Sequence, residues 1–253
     1  MAKTKQKLTR ILSIDGGGIR GIIPGQILVM LEEKLKKATA NENARIADYF
    51  DLIAGTSTGG ILACAYLCPD QKDPLRPKFT AEEVVNLYLE RATSAAPTYF
   101  ECSKVKSLTN INYPLIDGGV FVNNPALCAY AEVHNEYEVT ARDMAILSLG
   151  TGYEKQAYNY NQAKDWGMLG WIKPLISIMM SGVSEVVDYQ LRQIYSAVKA
   201  PGQYLRINTE FPINVNSDMD DASQENLNAL KELGTETAQI FDNQLDEFVK
   251  LLV

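Results

Sequence analysis

Gly55-Thr56-Ser57-Thr58-Gly59 stands between a strand candidate, Tyr49–Ala54, and an apolar helical stretch, Ile61–Leu67. That order of strand, tight turn and helix decides how the chain is read. A GxSxG pattern in this setting describes a nucleophile elbow, where the serine sits on a strained turn with its hydroxyl raised over the carboxyl edge of a sheet. Strand and helix come so close at such a turn that only small residues fit around it. Ala54, Gly55, Gly59 and Gly60 supply that room. The bland alternative is a tight turn with an incidental serine.

Upstream the same alternation recurs. Ile11–Ile14 is an apolar run stopped by glycines, and Ile23, Ile27, Met30, Leu31 and Leu35 then fall at helical spacing, with Pro24 suited to a first turn. Downstream, Thr80 and Glu83 form a capping box that opens a helix through about Glu90. Tyr113–Ile116 and Met144–Leu149 are further strand candidates, each followed by glycine after at most one residue. Residues 153–166 are polar, Trp166–Met180 forms one short apolar helix, and two helices of about 223–252 close the chain with Gly234 as the break. Strands alternating with helices predict an α/β protein with a mainly parallel sheet, and 1–253 reads as a single domain.

Composition removes several functions. The 253 residues are 46% hydrophobic and 22% charged, with a net charge of −7. That balance offers no basic face for nucleic acid and little attraction to anionic membranes. The four cysteines are scattered, and Cys64 and Cys68 read as core thiols of a buried helix; with a single histidine in the chain, no metal-ligand set is expected. No apolar run follows the basic N-terminus and no segment reaches membrane-spanning length, which points to a reduced, cytoplasmic protein.

Two more glycine loops carry chemistry. Asp15-Gly16-Gly17-Gly18-Ile19-Arg20-Gly21 again joins a strand to a helix. Successive glycines let backbone N–H groups converge at a helix N-terminus, a geometry suited to an oxyanion. Arg20 would add charge or hold a lipid phosphate. The segment also matches GxGxxG, but the acidic residue expected about twenty positions later at a second strand is missing, so no dinucleotide or other cofactor is called for. Asp117-Gly118-Gly119 is the third loop, and taken alone it reads first as an Asx-turn. His134, the only histidine, lies among Glu132, Asn135 and Glu136 on what reads as a solvated helix face. If Ser57 is a nucleophile, its base is therefore a carboxylate, and Asp117 at a glycine-lined strand end is the best placed.

The ordered set DGGGIRG at 15–21, GTSTG at 55–59 and DGG at 117–119 resembles the patatin-like phospholipase family. Ala92–Pro97 and Asn123-Asn124-Pro125 are similar to family segments too. The resemblance implies a three-layer α/β/α fold and calcium-independent hydrolysis of acyl esters in phospholipids and related lipids. Ser57 would be the nucleophile, Asp117 its partner, and Gly16, Gly17 and Gly18 the oxyanion loop followed by Arg20. Relatives carry a longer segment between GxSxG and DGG, whereas here the Thr80–Glu90 helix runs straight into Arg91. Two other readings stand beside this one. One is a nucleotide- or phosphate-binding protein using the 15–21 loop, and the other an inactive relative that keeps the fold.

Overall fold

The computed structural model describes residues 8–92, 103–107, 110–115, 117–155 and 160–253. Its chain runs β1 (Thr9–Ile14), α1 (Ile22–Thr39), β2 (Leu52–Gly55), α2 (Thr58–Tyr66), α3 (Ala81–Ala92), β3 (Ser103–Lys106), β4 (Asn112–Leu115), α4 (Ala126–Tyr137) and β5 (Met144–Leu149). After these come α5 (Tyr160–Ala163), α6 (Gly167–Ala197), β6 (Tyr204–Ile207), α7 (Gln224–Ile240) and α8 (Asp242–Leu252). Four strands form a parallel sheet in the order β2-β1-β5-β6, and β3 pairs with β4 as a separate antiparallel hairpin.

The sheet is covered on both faces, and strand alternation sorts the core into two layers. Leu12, Ile14, Leu147, Leu149 and Ile207 point into a cluster with α1, α7 and α8. Ile11, Met144, Ile146 and Tyr204 point the other way, onto α4 and α6. The expected three-layer α/β/α arrangement is what forms. Chain order places the site: β2 lies on one side of β1 and β5 on the other, so connections leave β1 in opposite directions. In open α/β sheets the crevice beyond the strands' carboxyl ends at such a switch point takes the ligand. The loops after β1, β2 and β5 all emerge at that edge.

Several expectations need correction. Tyr113–Ile116 does not join the parallel sheet, because Asn112–Leu115 pairs with β3; Ile116 and residues 93–97 lie outside the described residues. The helix after Ser57 is not fully buried. With nine apolar or small residues and only one face against the core, it packs Leu62, Ala63 and Tyr66 inward and leaves Ile61 55% exposed. Cys64 on its outer face is exposed and Cys68 half-buried, so neither is a core thiol. Gly234 does not break the last helices. A Cβ there would lie 2.8 Å from the Gln26 side chain and 3.1 Å from the Ile23 Cα, so it is the contact point of α7 on α1, and the break falls at Phe241. The Trp166–Met180 stretch is no short helix but the first half of the 31-residue α6, which continues through Pro174.

Candidate active site

Ser57 begins the elbow with φ 52° and ψ −118°, a backbone region that residues with a Cβ rarely adopt. The tightness comes from the neighbours. A Cβ on Gly55 would lie 2.1 Å from the Gly59 carbonyl oxygen, and one on Gly59 would lie 2.2 Å from that of Ile14. The first turn of α2 therefore sits directly on the end of β1, and its positive N-terminal end lies beside the Ser57 hydroxyl.

Ser57 Oγ donates a 2.5 Å hydrogen bond to Asp117 Oδ2. The other carboxylate oxygen, Oδ1, accepts the Gly119 N–H at 2.7 Å, so Asp117 caps the short turn at Gly118–Val120 and its carboxylate plane is fixed. The Asx-turn and the serine contact, competing readings of Asp117 in the sequence, coexist: one oxygen makes each. Both residues are half-buried and open to a ligand. His134 does not approach them. It is exposed near the end of α4, stacked on Tyr130, with Nδ1 2.5 Å from the Val139 carbonyl oxygen.

Gly16 lies against this pair, since a Cβ on it would come within 3.4 Å of the Ser57 Cβ, and Gly17 and Gly18 follow it in the loop. The carbonyls of all three glycines are held in place. Thr151 Oγ1 donates to Gly16 O at 2.7 Å, Arg20 N–H and Nε to Gly17 O at 3.2 and 3.1 Å, and Tyr88 Oη to Gly18 O at 2.6 Å. Because Tyr88 spends its proton on Gly18, Thr58 Oγ1, 2.5 Å away, is the donor to Tyr88, and the pair ties the elbow to the loop. Gly16 N–H donates to Asn123 O and Ile19 N–H to Met219 O, while among the described residues Gly17 and Gly18 N–H donate to no protein acceptor. Gly18 needs its φ of +58°, and a Cβ there would meet the Met219 carbonyl oxygen at 2.2 Å. Two unpaired backbone donors in the loop that starts at Gly16, against the serine, suit an ester carbonyl whose oxygen gains negative charge.

Arg20 is engaged by the protein itself. Its Nε binds Gly17 O, its Nη1 lies 3.5 Å from Ser217 O, and the guanidinium stands over the Phe211 ring at 5.6 Å. It braces the loop, the role its geometry supports directly. Sequence reasoning passed over Thr151, Tyr88 and the backbone of Asn123. Thr151, in Gly150-Thr151-Gly152 at the end of a strand, carried a usable signal; Tyr88, in mid-helix, did not. Among the described residues, no three His, Cys, Asp or Glu side chains are grouped to hold a metal ion.

Exposed apolar side chains flank the site. Phe121, four residues past Asp117, is 84% exposed beside an exposed Val120. Trp171, Leu175, Ile178 and Met179 repeat at helical spacing on α6 and are exposed as well, Trp171 by 41%, so this stretch does not simply pack on the core. The next residue, Met180, is half-buried, and its Cε would lie 3.6 Å from a Cβ on Gly119, which brings α6 to the Asp117 turn. No helix among the described residues is long and apolar enough to cross a membrane.

A family model for patatin-like phospholipases matches residues 12–91. Patatin-like protein 2 of Arabidopsis thaliana is 30% identical, over 92% of this chain and 83% of its own length. Patatin-2-Kuras 3 of Solanum tuberosum is 27% identical, over 98% of this chain and 91% of its own. The alignment with the Arabidopsis protein runs over 342 positions, more than the 253 residues here, so that relative carries segments with no counterpart in this chain.

Proposed function

The chain belongs to the patatin-like phospholipase family, a family of lipid acyl hydrolases, and from that premise we propose that it cleaves acyl esters through Ser57 and Asp117. The observation that carries the reading is the 2.5 Å bond from Ser57 Oγ to Asp117 Oδ2, next to a glycine loop whose Gly17 and Gly18 N–H groups donate to no protein acceptor among the described residues. As Ser57 Oγ attacks the ester carbonyl carbon, its proton passes to Asp117 Oδ2 and the carbonyl π electrons move to the oxygen, which the loop N–H groups bind. Collapse of this intermediate breaks the bond to the alcohol oxygen, which takes the proton from Asp117 and leaves an acyl-serine. Water then attacks the acyl-serine with Asp117 again accepting a proton, and Ser57 recovers it when the free acid departs. Most of the barrier reduction falls to the oxyanion donors, which are oriented before the charge develops.

The substrate class follows from the flanking surface. A lipid acyl ester resting in an aggregate would meet Phe121, Val120 and the apolar face of α6, and a chain of net charge −7 favours a zwitterionic or neutral surface over an anionic one. Labelling with a fluorophosphonate tests the assignment. One equivalent of label on the wild type, none on Ser57→Ala, and loss of p-nitrophenyl butyrate hydrolysis in that variant are expected. A folded Ser57→Ala with full turnover overturns the reading. Phosphate binding that survives this substitution in a protein with no esterase activity would favour the phosphate-binding alternative.

A further inference from the structure

We propose that Asp15, Arg206 and Ser184 are positioning residues for the glycine loop, holding the Gly17 and Gly18 donors in place and making α6 part of that support. The proposal rests on the acyl-hydrolase reading above. Asp15 is the last residue tied to the sheet, its N–H donating to Leu149 O at 2.9 Å, and Gly16 follows immediately. Its side chain is buried on the α4–α6 face, where Arg206 grips it with both ends of the fork: Nη1 to Oδ1 at 2.8 Å and Nη2 to Oδ2 at 2.5 Å. Arg206 stands on edge strand β6 and reaches across β5, binding Ser148 Oγ at 2.8 Å on the way. Ser184 of α6 completes the set, donating to Asp15 Oδ2 at 3.0 Å and accepting from Arg206 Nη2 at 2.9 Å.

Stability alone is a poor reason for this arrangement. A buried ion pair is often no better than apolar side chains of the same volume, and away from the carboxyl edge this sheet face is apolar, with Ile11, Ile146 and Tyr204. The burial that pushes the Asp15 carboxyl above its ordinary range is opposed by the Arg206 charge and its hydrogen bonds. The charged cluster sits one residue before the loop, where a fixed chain direction matters most. Oxyanion donors act because they are already oriented when charge develops, and that needs a rigid support behind them. Ser184 lies one turn beyond Met180, which borders Gly119, so one stretch of α6 touches both the loop and the Asp117 turn.

Ser184→Ala is the informative variant, since it removes one hydroxyl while Asp15 and Arg206 keep each other. Displacing a reacting geometry by about 1 Å costs roughly 100-fold, so a partial shift should lower kcat on p-nitrophenyl butyrate about tenfold with KM within about twofold. Arg206→Lys keeps the charge but loses the fork, and should lower kcat by about 100-fold on the same reasoning. The decisive measurement is a double-mutant cycle with Gly17→Ala. If Ser184 acts through the loop, its effect should shrink to less than about twofold once the loop is already displaced. Additive effects, or a folded Ser184→Ala with wild-type kcat, overturn the proposal even if Arg206→Lys fails to fold. The two ideas fail separately. Activity that survives Ser57→Ala sinks the hydrolase assignment, whereas Ser57-dependent activity indifferent to Ser184 sinks only this one.

Discussion

Ser57→Gly and Ser57→Ala both delete the proposed nucleophile, but they should differ in stability, and the difference measures strain at the elbow. Ser57 has φ 52° and ψ −118°, outside the left-handed helical well where a positive φ is least costly. Holding a residue with a Cβ there costs about 1–3 kcal/mol. Alanine keeps its Cβ and therefore the strain; glycine loses both but gives back about 0.4–1 kcal/mol in unfolded-chain entropy. The hydrogen bond to Asp117 is absent from both variants and cancels in the comparison. The glycine variant should be the more stable by about 1–2 kcal/mol, which for a chain of this size means a melting temperature higher by roughly 2–8 °C. Thermal unfolding followed by circular dichroism, with urea titration as a second measure, reads the difference. An alanine variant as stable as the glycine one, or more so, would show that the turn is relaxed and that the geometry argument for the elbow is mistaken.

Further outcomes are expected at and around the pair. Asp117→Asn keeps the shape but cannot accept a proton, so kcat should fall by a factor of at least about 100, whereas exposed His134→Gln should keep more than half of wild-type activity; the reverse pattern in steady-state kinetics would assign the base to His134. Phe121→Glu should leave hydrolysis of a soluble butyrate ester within about twofold while lowering activity on phosphatidylcholine vesicles about tenfold or more, consistent with about 0.8 kcal/mol for each CH₂ withdrawn from lipid. Equal losses on both substrates would deny a separate lipid-facing role. Across acyl esters from acetyl to palmitoyl, kcat/KM should peak at short chains, because this chain lacks segments that its longer Arabidopsis relative possesses; a steady rise to palmitoyl contradicts that.

What could be read from the sequence follows from where the physics is local. The three glycine loops and the residues they present were legible, because a backbone forced close to another backbone must be glycine wherever the chain appears. The first and fifth strands were legible as apolar runs, since a parallel strand covered on both faces has few polar positions. β6 was not, and the reason is Arg206: a buried arginine inside Tyr204–Ile207 disguises a core strand as a polar segment, and only its partner Asp15, 191 residues away, explains its burial. Gly234 misled for the opposite reason. A glycine required by helix contact looks the same in sequence as one that ends a helix.

The same limit explains the support of the site. Nothing in the spacing of Asp15, Ser184 and Arg206 joins them, because they meet only through a strand order, β2-β1-β5-β6, that local periodicity does not determine. Yet their side chains had to lie on one face. Ser13, Ser148 and Arg206 share a register across three strands, with Asp15 two residues beyond Ser13, so all four project toward α4 and α6 at the carboxyl edge. A sheet face that is apolar at one end and polar at its carboxyl end is a pattern that alternation alone could have revealed, once the strands were known to be neighbours. Groups that present the chemistry are written in short motifs, while groups that hold those motifs still are written in the topology.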